Sequence, residues 1–203
     1  MNNKISECGV TANIPDLGSG DSGFESLHSD KNKNMIKLTS TGVTNGIIDK
    51  KFGKYGEEKL NNVPIRSFPL NWENIPAGTK SLVLIMQDYD AVPVCGFSWI
   101  HWTVANIDPT LGGLIENASR EVKNLTQGEN SFSGKFVRGD MPDEIISYYG
   151  GPRPPDRDHE YEIKVYALDT LLDLKNGFKY NELISKMRNH ILEEGILLGK
   201  YPV

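Results

Sequence analysis

A chain of 203 residues with 22 basic and 27 acidic side chains and a net charge of −5 can fill one sizeable domain. It lacks the concentrated basic surface that phosphate-backbone binding requires, so nucleic acid is set aside as a partner. Two cysteines, Cys8 and Cys95, build neither a disulfide framework nor a four-cysteine metal site, and no stretch approaches the ~20 apolar residues of a bilayer span.

Residues 1–34 are rich in Gly, Ser, Asp, Asn and Lys, with few large apolar side chains. Such a segment buries too little surface to offset its ordering entropy, and it reads as a flexible leader or extension. The first ten residues lack the apolar centre of a secretory signal, so a cytoplasmic protein with no integral membrane association is expected. At Met35 apolar and polar residues begin to alternate, and 35–203 reads as one domain.

The body carries strand-like runs at 81–86 (SLVLIM), 99–106 (WIHWTVAN) and 159–168 (HEYEIKVYAL), separated by connections rich in Gly, Pro, Asp and Asn. Segment 117–136 is polar and reads as a long surface loop. In 181–195, Leu183, Ile184, Met187, Ile191 and Leu192 recur at helical spacing, with His190 beside the stripe and Gly195 as terminator. The expected fold is mostly β, with a few peripheral helices including one near the C-terminus.

Three segments bear chemistry. Asp88 and Asp90 follow the first strand and would point the same way on an extended chain before Pro93 bends it, although Asp is also a common turn former. Alternation over 99–104 puts Trp99, His101 and Thr103 on one face, and Ile100, Trp102 and Val104 on the core face. The third segment, 149–155, holds Gly150, Gly151, Pro152, Pro154 and Pro155, a rigid, side-chain-poor loop. Along the strand that follows, His159, Tyr161, Ile163, Val165 and Ala167 share one face opposite Glu160, Glu162 and Lys164. Two polar side chains at the inward end of a strand need partners or a ligand.

The pair KSLVLIMQDYDAVPVCGFSWIHWTVANI and YYGGPRPPDRDHEYEIKVYALD resembles the phosphatidylethanolamine-binding proteins, also called Raf kinase inhibitor-like proteins, and looks closest to their bacterial branch. The resemblance implies a β-sandwich-like fold with a few peripheral helices. It also implies that Asp88, Asp90, His101, His159 and Tyr161 converge on one anion pocket, with Pro154 and Pro155 shaping the rim and Gly151 beside them. The implied function is non-enzymatic: binding of a small anion or phosphorylated head group, with modulation of a protein partner, no cofactor, and a homodimeric state as in bacterial members. This chain departs from the family pattern at Tyr89 and Val92, which break an Asp-Pro-Asp-Ala-Pro run. It departs again at Glu160, where Arg is usual, and at Arg153, where a small residue or Cys is usual.

An anion beside two carboxylates requires a shared proton, with His101, His159, Tyr161 and backbone N–H groups of the Gly-Gly-Pro loop as donors. Anion affinity is therefore expected to fall as the histidines deprotonate. Other chemistries fit the same inventory. Asp88, Asp90, His101 and His159 could serve a metal-dependent hydrolase, and Cys95 with His101 a cysteine hydrolase. A structural protein with a vestigial pocket is a further reading.

Overall fold

A computed structural model describes residues 35–134 and 141–203. The leader assigned to 1–34, and Lys135 and Phe136 of the segment read as a loop, lie outside the described residues.

The strands in chain order are β1 (Lys37–Thr39), β2 (Val43–Thr44), β3 (Ile47–Ile48), β4 (Lys59–Leu60), β5 (Val63–Pro64), β6 (Leu70–Glu73), β7 (Ser81–Asp88), β8 (Trp99–Ile107), β9 (Gly113–Leu114), β10 (Thr126–Gln127), β11 (His159–Leu168) and β12 (Ile191–Tyr201). Short helices α1 (Val92–Cys95), α2 (Ala118–Glu121) and α3 (Asp143–Ile146) and the longer α4 (Tyr180–Met187) lie between them. Seven strands form one mixed sheet in the order β10-β8-β7-β11-β12-β3-β2, and β1-β6-β9 form a second. This is the mostly-β architecture expected from the sequence. No described helix is long and apolar enough to cross a membrane.

The main core lies between the two sheets. Leu38, Leu70, Trp72 and Leu114 meet Leu82, Leu84, Met86, Trp102, Val104, Ile163 and Val165 there. The other face of β7 is also covered, because Val83 and Ile85 pack with Ala105, Leu168, Phe178, Leu183 and Met187. All eight residues of β7 are therefore buried. Burial on both faces is why SLVLIM reads as a continuous apolar run without alternation.

Two expectations are corrected. The helix predicted over 181–195 ends at Met187, and Ile191, Leu192 and Gly195 belong to β12. Ladder pairing with β11 along its whole length outweighs the local helical period. Gly195 is no terminator; it lies mid-strand, where a Cβ would come within 2.5 Å of Ile36 O. His190 lies in the connection from α4 to β12 and pairs with Asp169 at 2.8 Å.

Nor is the described part of 117–136 a surface loop. It carries α2 and β10 and buries Ala118, Ser119, Leu125, Gln127, Asn130 and Phe132. Its polar residues enter because they are satisfied: Gln127 Oε1 accepts from Trp102 Nε1 at 2.8 Å and from Ser119 Oγ at 2.7 Å.

Candidate functional site

The ends of three adjacent strands build the site. Tyr161 of β11 lies opposite Asp88 of β7, and Asp88 lies opposite Trp99 of β8. The β7–β8 register then steps from Gln87 opposite Ile100 to Met86 opposite Trp102, leaving His101 as an extra residue. This β-bulge resets the alternation. Ile100 falls on the face away from Trp102, contrary to the simple period-two reading, and His101 joins the inner face.

The cavity there measures about 560 Å³ and is lined by Asp88, His101, His159 and Tyr161 at its polar end. Ala91, Val94, Cys95, Trp99, Phe132, Gly151, Pro154 and Pro155 supply most of the walls, and Lys54 and Arg153 bring positive charge to the lining. Of the eight residues that the resemblance assigned to the pocket and its rim, seven line the cavity and Asp90 does not. After Asp88 the chain turns into α1, with Asp88 Oδ1 accepting from Ala91 N at 3.0 Å. Asp90 then turns outward, where its carboxylate accepts from Arg157 NH2 and from Glu160 N, both at 2.9 Å. The Glu160 amide, then Arg157, hold the Asp90 carboxyl below its ordinary range.

The two histidines differ sharply. His101 is buried, and its Nδ1 lies 2.5 Å from Gly150 O. A carbonyl oxygen can only accept, so Nδ1 carries the proton and the neutral ring presents a bare lone pair at Nε2. Burial, reinforced by the nearby His159 charge, lowers its pKa, although Asp88 and Gly150 pull the other way. His159 is equally buried, but its Nδ1 meets Asp88 Oδ2 at 2.7 Å and its Nε2 meets Asp156 Oδ1 at 2.9 Å. Burial opposes its charge, yet the bonds to Asp88 and Asp156 outweigh burial and raise its pKa. Both ring nitrogens of His159 thus face carboxylates, which favours the imidazolium and leaves neither nitrogen free for a ligand.

Among the described residues, two buried polar atoms at the cavity have no partner of good hydrogen-bond geometry, His101 Nε2 and Tyr161 Oη, with Asp88 and the Arg153 backbone close to the phenol. Burial, then the Asp88 charge, pushes the Tyr161 phenol up, so it remains a hydroxyl with a proton to donate. The two rings meet edge to face at 5.1 Å. Backbone N–H donors expected from the Gly-Gly-Pro loop are already engaged, Gly150 N by His101 O at 2.9 Å and Gly151 N by Pro64 O at 2.8 Å. Gly151 is needed because a side chain there would strike Phe52 O and Pro64.

Sequence reasoning missed Lys54, Asp156, Arg157 and the supporting segment 117–134. Asp156 and Arg157 were visible in the PPDRDH run, but nothing in their spacing says which partner each takes. Ser119 Oγ accepts from Tyr149 N at 2.9 Å, which fixes the loop carrying Gly150.

No group of three or more His, Cys, Asp or Glu among the described residues is arranged to hold a metal ion. With His159 saturated and Asp90 turned outward, the ligand set of a metal-dependent hydrolase is not assembled. Cys95 Sγ donates to Ala91 O and Phe97 O, each at 3.3 Å, and no hydrogen bond joins it to His101.

A family model described as phosphatidylethanolamine-binding protein matches residues 39–202. The uncharacterized protein YxkA of Bacillus subtilis is 48% identical over 153 residues, covering 74% of this chain and 90% of that protein. A UPF0098 protein of Methanothermobacter thermautotrophicus is 38% identical over 136 residues, covering 66% and 80%. A crystal structure of a Chlamydia trachomatis protein, described as a homolog of phosphatidylethanolamine-binding protein, superposes with a TM-score of 0.68 at 32% identity, covering 84% of this chain and 99% of that one. Escherichia coli YbcL shares the fold, with a TM-score of 0.67 at 24% identity over 83% and 98% of the two chains.

Proposed function

The chain belongs to the phosphatidylethanolamine-binding protein family, and on that premise we propose that its cavity binds one small anionic group, such as phosphate or a phosphorylated head group, in singly charged form. The observation that carries this reading is the unpartnered pair at the polar end, His101 Nε2 and Tyr161 Oη. Buried polar atoms without partners cost stability, and a ligand that satisfies both recovers it.

The pair specifies the ligand's protonation. Tyr161 donates to an ionised oxygen, while the lone pair of neutral His101 accepts from a protonated one. A phosphate monoanion offers both kinds of oxygen on one phosphorus. His159 between Asp88 and Asp156 leaves residual negative charge around this end, which also favours one ligand charge over two. Lys54 and Arg153 attract the anion from the cavity lining, and Val94, Trp99, Pro154 and Pro155 suit the carbon portion of an ester.

Binding then requires one proton shared between the ligand and His101 Nε2. A phosphomonoester loses its second proton near pH ~6. Affinity for phosphorylethanolamine, measured calorimetrically from about pH 5 to about pH 8, is expected to fall as pH rises. Constant affinity across that range would overturn the shared-proton arrangement.

A further inference from the structure

We propose that Asp156 is the specificity-determining residue that limits this cavity to a single, singly charged anion, an inference that rests on the anion-binding reading above. Asp156 directly follows the cavity residues Pro154 and Pro155. Its Oδ1 lies 2.9 Å from Nε2 of His159, and its Oδ2 accepts from Arg157 NH1 at 3.3 Å. Arg157 continues to Asp90. A chain of charged contacts therefore runs from Asp88 through His159, Asp156 and Arg157 to Asp90.

This chain has two consequences. Asp156 occupies the donor that an anion would otherwise receive from His159, leaving recognition to His101 and Tyr161. It also adds a carboxylate charge close to the polar end, which repels a second ligand charge. The Asp156 side chain is 43% exposed while that of His159 is 1% exposed. Removing Asp156 takes away an exposed carboxylate but leaves the buried Nε2 of His159 without its partner, so the urea midpoint of each variant is read alongside binding to show that it is folded. The groups facing His159 are then Asp88, His101, Tyr161 and, more distantly, Asp90. None of them takes the place of Asp156 at Nε2.

The test is titration of the intact wild type, Asp156→Ala and Asp156→Asn with inorganic phosphate on either side of its second ionisation, together with the histidine titration of each protein by NMR. Where His159 is still protonated, Asp156→Ala should bind phosphate about tenfold more tightly than wild type, the gain of one charge-assisted donor. Above the lowered His159 midpoint that gain should disappear, because the neutral ring keeps its proton on Nδ1 toward Asp88 and offers no donor at Nε2. Asp156→Asn removes the charge but keeps an acceptor on Nε2, and should fall between the two. The His159 midpoint should drop in both variants, whatever the ligand does. Unchanged or weaker phosphate binding in Asp156→Ala below its lowered His159 midpoint would overturn the inference and leave the anion-binding reading standing. Failure of all three proteins to bind phosphate would overturn that reading and this inference with it.

Discussion

His101 and His159 share one cavity and carry the same side chain, yet their surroundings drive them apart. His101 is buried with one ring nitrogen on a carbonyl and the other unpartnered, and its pKa is lowered. His159 is held between two carboxylates and its pKa is raised. The ordinary value is ~6.5, so NMR titration should place His101 below it and His159 above it. Both midpoints on the same side would contradict the assigned roles. By linkage, the raised pKa of His159 contributes stability that is complete below its unfolded value and lost as pH rises through the folded one. The lowered pKa of His101 has the opposite sense: protonation at acid pH opposes folding, and stability is gained as pH rises between its folded and unfolded values. Asp88, His101, His159 and Tyr161 were all legible in the sequence as residue types on strand ends. The outward turn of Asp90 was not, because it depends on α1 beginning directly after β7 and on a bond to Arg157, 67 residues away in sequence.

At the scale of elements, the segment most misread from its composition does much of the positioning. The residues at 117–134 look like a loop because they are polar, but polarity marks a surface only when no partner is available inside. Gln127 satisfies Trp102 Nε1, Ser119 Oγ and Ser119 O, while Ser119 Oγ holds the Tyr149 amide next to Gly150. Gln127→Ala should therefore destabilise the protein by about 1–3 kcal/mol through the buried groups it leaves unpaired, read from the urea midpoint. A midpoint unchanged from wild type would contradict the network. The same limit explains the bulge at His101. Period two is a property of an uninterrupted ladder, and an extra residue is visible only once the partner strand is in register. The C-terminal segment erred the other way, since Leu183, Ile184 and Met187 do form a helical stripe and only the continuation into β12 depends on β11.

For the whole molecule, a central sheet covered on both faces fixes the strand ends that carry the site. One face packs on β1-β6-β9 and the other on α4 with Leu172 and Phe178. The mostly-β architecture was readable because the long strands at 81–88, 99–107 and 159–168 announce themselves by apolar runs and alternation. The short strands of two or three residues were not, because they hold no full period of their own. Among the described residues, the frame leaves His101 Nε2 and Tyr161 Oη without a partner of good hydrogen-bond geometry inside the cavity, and this pair is central to the proposed function. The most direct test is calorimetric titration of wild type and Tyr161→Phe with phosphorylethanolamine, a substitution that removes only the hydroxyl. We expect saturable binding to the wild type and affinity weakened about tenfold or more in Tyr161→Phe, the loss of one hydrogen bond to a charged group. Equal binding by the two proteins would place the ligand elsewhere and contradict the account.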